Sequence, residues 1–158
     1  MKWYWLLYFS INKITEYFTK RRINYLVIHT SDTPEGKNFT IDDIRGWHTY
    51  GNGWSDIGYH FVIHLDGSIH KGRDIDTIGA HVKGYNVDSI GICYIGGSDK
   101  NGNPKDTRTP SQKRSLNKLL FELKHSFPDA EILGHRDFPN VSKACPSFDA
   151  IKEYGWLL

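Results

Sequence analysis

Apolar residues fall in short blocks along the chain, and the blocks follow two different periods. Asn24 to Thr30 (NYLVIHT) is a nearly continuous apolar run of strand length, which predicts a strand covered on both faces. Ser89 to Ile95 (SIGICYI) is a second such run, stopped by Gly96-Gly97. Between them, Tyr59 to Leu65 and Ser68 to Lys71 flank Asp66-Gly67, a dipeptide that favours a tight hairpin turn. Glu131 to Leu133 predicts a further short strand leading into Gly134-His135. The helical period shows in Leu116, Leu119, Leu120, Leu123 and Phe127, which recur on one side of a helix. Thr109, Pro110 and Gln112 give that helix a cap, a first-turn proline and a capping-box partner, and Pro128 ends it. Thr40 can cap a shorter helix running through Ile41, Ile44, Trp47 and His48, with Gly51-Asn52-Gly53 as its stop. Ser31 to Phe39 and Ser98 to Arg108 read as loops, and the tail from Ser147 as a last short helix. Strands interleaved with helices, with a hairpin among them, predict an α/β fold: one domain with a mixed β-sheet flanked by helices.

Residues 1–22 differ from this pattern and are expected to form an N-terminal extension to a domain spanning 23–158. Trp3 to Phe9 (WYWLLYF) is short for a signal peptide, and no small-residue cleavage site follows it. A packed helix, a mobile extension, a membrane-surface anchor and a cleaved signal all stay open for this stretch. Aromatics beside Lys13, Lys20, Arg21 and Arg22 suit weak contact with a membrane surface. No run approaches the roughly 18 to 20 apolar residues of a transmembrane helix.

Composition narrows the function. The chain's 158 residues suffice for a single buried core without disulfide staples. Its 20 Lys+Arg against 18 Asp+Glu give none of the basic excess of a nucleic-acid binder, so no nucleic-acid partner is expected. Two cysteines are too few for a disulfide scaffold. Eight histidines in so short a chain direct attention to metal or proton chemistry.

Most of those histidines have ordinary explanations. His60 and His64 are four apart, but on a strand that interval spans roughly 13 Å, too far to share one ion. His48 sits on a predicted helix, and His70 and His125 read as surface or hydrogen-bonding residues. His29 and His135 differ, because each stands where a strand meets a loop, the usual place for a rigidly held functional side chain. Cys145 follows, next to Pro146. Two imidazoles and one thiolate match a catalytic zinc site with its fourth position left for water. If Ser147 opens a helix, its N-terminus would help to hold the thiolate. Cys145 could instead be a buried apolar residue or be joined to Cys93.

The phrases VIHTSDTP, GWSDIGYHF, DGSIHKGR, GAHVKGYN, SIGI, GHRDF and KACPSFD follow one another from Asn24 to the C-terminus. In order and spacing this set closely resembles the zinc-dependent N-acetylmuramoyl-L-alanine amidases of type 2, the superfamily of peptidoglycan-recognition proteins and phage lysozymes. The resemblance implies a mixed sheet with a zinc cleft, a Zn²⁺ cofactor and a peptidoglycan substrate. It places His29, His135 and Cys145 on the zinc ligands, Tyr59 and Lys143 on catalytic positions, and His81, Asn86 and Trp54 along the substrate cleft. It implies hydrolysis of the amide between N-acetylmuramic acid and L-alanine by a monomeric, endolysin-type enzyme. The alternatives are a non-catalytic peptidoglycan-recognition module, a hydrolase of another amide, and a regulator of a phage RNA polymerase. Recognition modules of this superfamily can lack the ligand cysteine, which is present here.

Overall fold

The computed structural model describes residues 13–157; the apolar run Trp3 to Phe9, with every expectation attached to it, lies outside them. Five strands form one sheet in the order β4-β3-β5-β1-β7. They are β1 (Tyr25–Thr30), β3 (Phe61–Ile63), β4 (Ile69–Lys71), β5 (Ser89–Tyr94) and β7 (Glu131–Gly134). β1 runs parallel to β5 and β7, and β3 runs parallel to β5 and antiparallel to β4, so the sheet is mixed and contains the expected hairpin. Two very short strands in segments expected to be loop, β2 (Thr33–Pro34) and β6 (Gly97–Ser98), pair beside the end of β1.

Period-two alternation gives the sheet two different faces. Leu26 and Ile28 of β1 and Ile90 and Ile92 of β5 point to one face. The main helix, α2 (Pro110–Ser126), packs there through Leu116, Leu119, Leu120 and Leu123. All four leucines are fully or almost fully buried, and truncating one to alanine typically costs about 2 to 5 kcal/mol. The predicted capping box at Thr109 and Gln112 is present. Val27 and His29 of β1 point to the opposite face, which loops cover for the most part, with Ile41 and Ile44 of a short helix packed against Val62 and Cys93 at one side. The chemistry is therefore on the loop-covered face.

The helix capped by Thr40 is α1 (Ile41–Gly46), again with a capping box, and it widens into a single π-turn at Trp47–Gly51. That turn carries His48 to the loop-covered face. The last helix, α3 (Ala150–Tyr154), starts later than the sequence pattern implies. Asp149 caps it, while Ser147 adopts a left-handed conformation and donates through Oγ to the Gly97 carbonyl at 2.8 Å. Cys145 thus lies in the loop ahead of this helix and not at its N-terminus, which removes the expected help from a helix dipole.

Described residues just before β1 lie against the body. The Tyr17 N–H donates to Ser126 Oγ at 2.9 Å, and the Tyr17 ring meets Phe61 edge-on. Arg21 Nε donates to the Ile75 carbonyl at 2.7 Å, and its Nη1 and Nη2 reach the carbonyls of Asn86 and Ser89. This guanidinium ties together the loop between β4 and β5, which forms one wall of the cleft described next.

Candidate active site

β1, β7 and the loop before α3 bring their ends together on the loop-covered face. His29 is the fifth residue of β1, and His135 follows the end of β7 directly. Because β1 and β7 are parallel neighbours in register, with Ile28 opposite Gly134, the two histidines leave the sheet side by side. Their ring centres are 4.7 Å apart.

Cys145 is brought to them by a set of fixed loop contacts. Arg136 N–H donates to its carbonyl at 2.8 Å, and Tyr94 Oη donates to the next carbonyl, that of Pro146, at 2.6 Å. A second anchor sits just beyond. The Arg108 side chain, 1% exposed, pairs with Asp106 and Glu153 and lies 3.3 Å from the Phe148 ring centre. Cys145 Sγ then lies 3.8 Å from His29 Nδ1 and accepts the Thr30 N–H at 3.3 Å. Cys93 and Cys145 are both free thiols, so the alternative of a bond between them does not hold.

The donor atoms of His29, His135 and Cys145 all lie within 4.8 Å of one another. In a tetrahedral zinc site with N donors near 2.0 to 2.1 Å and sulfur near 2.3 Å, such atoms are about 3.5 Å apart. Small side-chain adjustments close that difference, so the residues fit the ion. Charge points the same way. Burial holds His29 well below its ordinary pKa, and His81, His135 and Lys143 push it further down. Burial and then Lys143 also lower His135. Burial pushes the Cys145 thiol up to about 11, against the opposing effects of the Thr30 N–H and Lys143. Two neutral imidazoles offer lone pairs, and a divalent cation would supply the positive charge that a buried thiolate needs.

These residues form the floor of a cleft of about 720 Å³. Tyr59 and Lys143 line it, and the Tyr59 ring centre lies 5.0 Å from that of His29. Burial, with Cys93 and Cys145 nearby, raises the Tyr59 phenol well above its usual pKa, so it keeps its proton. Trp54, His81 and Asn86 line the cleft as well. Trp54 is 38% exposed and tilts over His48 at 4.8 Å. Asn86 uses its side-chain oxygen internally, accepting from the N–H groups of His81 and Val82 at 2.8 and 2.9 Å. His81 touches His29 directly, with Nδ1 2.9 Å from Nε2.

Other histidines serve the framework. His60 Nδ1 accepts from the Gly91 N–H at 3.0 Å, and Nε2 meets the Thr77 carbonyl at 2.8 Å. His64 Nε2 accepts the Ile41 N–H at 3.0 Å, and its ring stacks on His70 at 3.8 Å. His125 is exposed at the end of α2. Sequence reasoning missed the parts played by the Thr30 N–H, Ser89 and Arg21. Ser89 carried a signal, as a polar residue opening an otherwise apolar strand. The main-chain donor at Thr30 carried none.

Comparison with known proteins agrees with this geometry. The family described as N-acetylmuramoyl-L-alanine amidase (Amidase_2) matches residues 19–148. The endolysin of Enterobacteria phage K11 is 46% identical over 133 residues, covering 84% of this chain and 86% of the phage protein. The bumblebee PGRP-SA structure superposes with a TM-score of 0.71 at 27% identity, over 92% of this chain and 89% of that one. The endolysin amidase LysCS of Clostridium intestinale gives a TM-score of 0.68 at 30% identity, over 82% and 78% of the two chains. The chain belongs to the N-acetylmuramoyl-L-alanine amidase family, with phage endolysins among its relatives.

Proposed function

We propose that this protein is a zinc-dependent, endolysin-type amidase that cuts peptidoglycan between N-acetylmuramic acid and L-alanine. The observation that carries the reading is the convergence of the His29, His135 and Cys145 donor atoms to within 4.8 Å at the floor of an open cleft, in a chain of this family. These three residues would hold the zinc. When bound, zinc supplies Lewis-acid polarisation of the scissile carbonyl and acidification of water.

The chain's own residues do the rest. The Tyr59 phenol, kept protonated by its surroundings, donates a hydrogen bond to the carbonyl oxygen as negative charge builds on it. Lys143, on the cleft wall, offers an ammonium donor to the same oxygen or to the departing amine. The Thr30 N–H holds the cysteine sulfur in place and spreads its charge. Trp54 presents an exposed aromatic face to the muramyl peptide, and Asn86 shapes the wall beside it. No helix among the described residues is long and apolar enough to cross a membrane.

The test combines two readings on the purified full chain: zinc per molecule, and the masses of fragments released from purified peptidoglycan. About one zinc per chain, with new free amino groups on L-alanine, is the expected result. Reducing sugar ends without new amines would point to glycan cleavage and refute the proposal. Binding of peptidoglycan with no product would favour a recognition module.

A further inference from the structure

His81 lines the cleft, yet both of its ring nitrogens are engaged inside the protein. The register of β1 with β5 sets Val27 opposite Gly91 and His29 opposite Cys93. Alternation places Ser89, Gly91 and Cys93 together on the face that carries His29. Residue 91 has no side chain there, and the His81 ring fills the vacancy. A Cβ at Gly91 would stand 2.6 Å from His81 Cγ, and one at Gly79 would stand 2.7 Å from His81 Cδ2. The two glycines thus form a slot for one imidazole. Asn86 Oδ1 fixes the main chain at its entrance by accepting the His81 N–H at 2.8 Å.

Within the slot, His81 Nδ1 is 2.9 Å from His29 Nε2, and His81 Nε2 is 3.2 Å from Ser89 Oγ. The proton positions follow from His29. Its Nδ1 faces the Cys145 sulfur, so a lone pair offered there requires the proton on Nε2. That N–H donates to His81 Nδ1. His81 then carries its own proton on Nε2 and donates it to Ser89 Oγ. Each ring is neutral, and each nitrogen has one role.

We propose that His81, steadied by Ser89, is a positioning residue that locks the tautomer and rotation of His29. The proposal rests on the zinc reading above and adds a support for one of the ligands. It also explains the residue type. A neutral acceptor orients His29 without adding a negative charge, which leaves Cys145 as the anionic member of the donor set. Partners that orient a ligand histidine in this way typically account for about 10- to 100-fold in metal affinity or activity.

The test measures zinc affinity by competition with a chromogenic chelator, alongside kcat and KM at saturating zinc. It compares the unaltered protein with His81→Phe, His81→Asn and Ser89→Ala. Phenylalanine fills the slot without an acceptor, and the expected result is zinc binding about 10- to 100-fold weaker with KM little changed. Asparagine places an amide oxygen close to the position of Nδ1 and should recover most of that loss. Ser89→Ala should weaken zinc binding in the same direction by a smaller factor, and it carries the test if His81→Phe does not fold. Wild-type zinc affinity in His81→Phe, or in Ser89→Ala where the former fails to fold, overturns the proposal. A rise in KM alone would make His81 a wall of the substrate cleft. A wild-type chain that takes up no zinc would instead refute the zinc reading and this inference with it.

Discussion

Two groups of histidines sit in the same fold, and they differ in what their lone pairs face. In the framework group, the acceptor nitrogens are consumed by the protein's own N–H groups. His60 takes that of Gly91 and His64 that of Ile41. In the cleft group, His29 directs Nδ1 toward a cysteine sulfur, and His135 stands beside it. Proximity alone does not separate the groups, since the His64 and His70 rings are closer together, at 3.8 Å, than His29 and His135, at 4.7 Å. Only the cleft group, among the described residues, gathers three metal-ligating side chains. The candidate metal site is thus marked by donors that the fold leaves facing one another.

The sharpest way to break this contrast is to remove the sulfur. Cys145→Ser should lose its bound zinc and all detectable cleavage of peptidoglycan, while circular dichroism stays close to wild type. Full activity in that variant after chelation would place the metal elsewhere. Next in size comes Tyr59→Phe, expected to keep zinc but lose about 100- to 1,000-fold in kcat, the usual cost of one donor to a developing oxyanion. Lys143→Ala should behave in the same way, and an unchanged rate would return Lys143 to the role of a solvated surface charge.

The framework group predicts a pH effect instead. Burial lowers His60 to about 4, against 6.5 for an unperturbed histidine. Between those values the unfolded chain binds a proton that the folded chain refuses, so stability falls as pH drops from 6.5 toward 4. The loss attributable to His60 is about 3 kcal/mol over that window. Urea unfolding from pH 7.5 to 4.5 should show a steeper decline in the wild type than in His60→Asn, which can still accept the Gly91 N–H. Parallel profiles would show that His60 does not control the acid limb. The smallest effect belongs to the stacked pair. His64→Ala should cost about 1 kcal/mol through the lost partner at the start of α1, and neither it nor His70→Ala should change zinc content. Altered zinc content in either would blur the line between the two groups.

Much of the contrast was legible in the residues. Apolar runs marked β1 and β5, and the leucine stripe with Thr109 and Gln112 marked α2 and its cap. The ends of β1 and β7 flagged His29 and His135, and extended geometry ruled out a shared ion for His60 and His64. Spacing could not show that residues 106 positions apart in number become neighbours. That follows from β1 and β7 pairing in parallel, a long-range choice that local pattern does not encode. Family motifs supplied what periodicity lacked. The start of α3 was misplaced because Asp149, and not Ser147, caps it, and Ser147 turns back to Gly97. The donor that takes over at the sulfur is a main-chain N–H, which every residue type but proline carries, so no sequence signal could reveal it.

Zinc-edge X-ray absorption on the purified protein would read the ligands of the proposed zinc site one by one. The expected spectrum shows one zinc bound by two imidazole nitrogens at about 2.0 Å and a single sulfur at about 2.3 Å, with the sulfur contribution absent in Cys145→Ser. A shell without sulfur in the wild type, or one unchanged by that substitution, would contradict it.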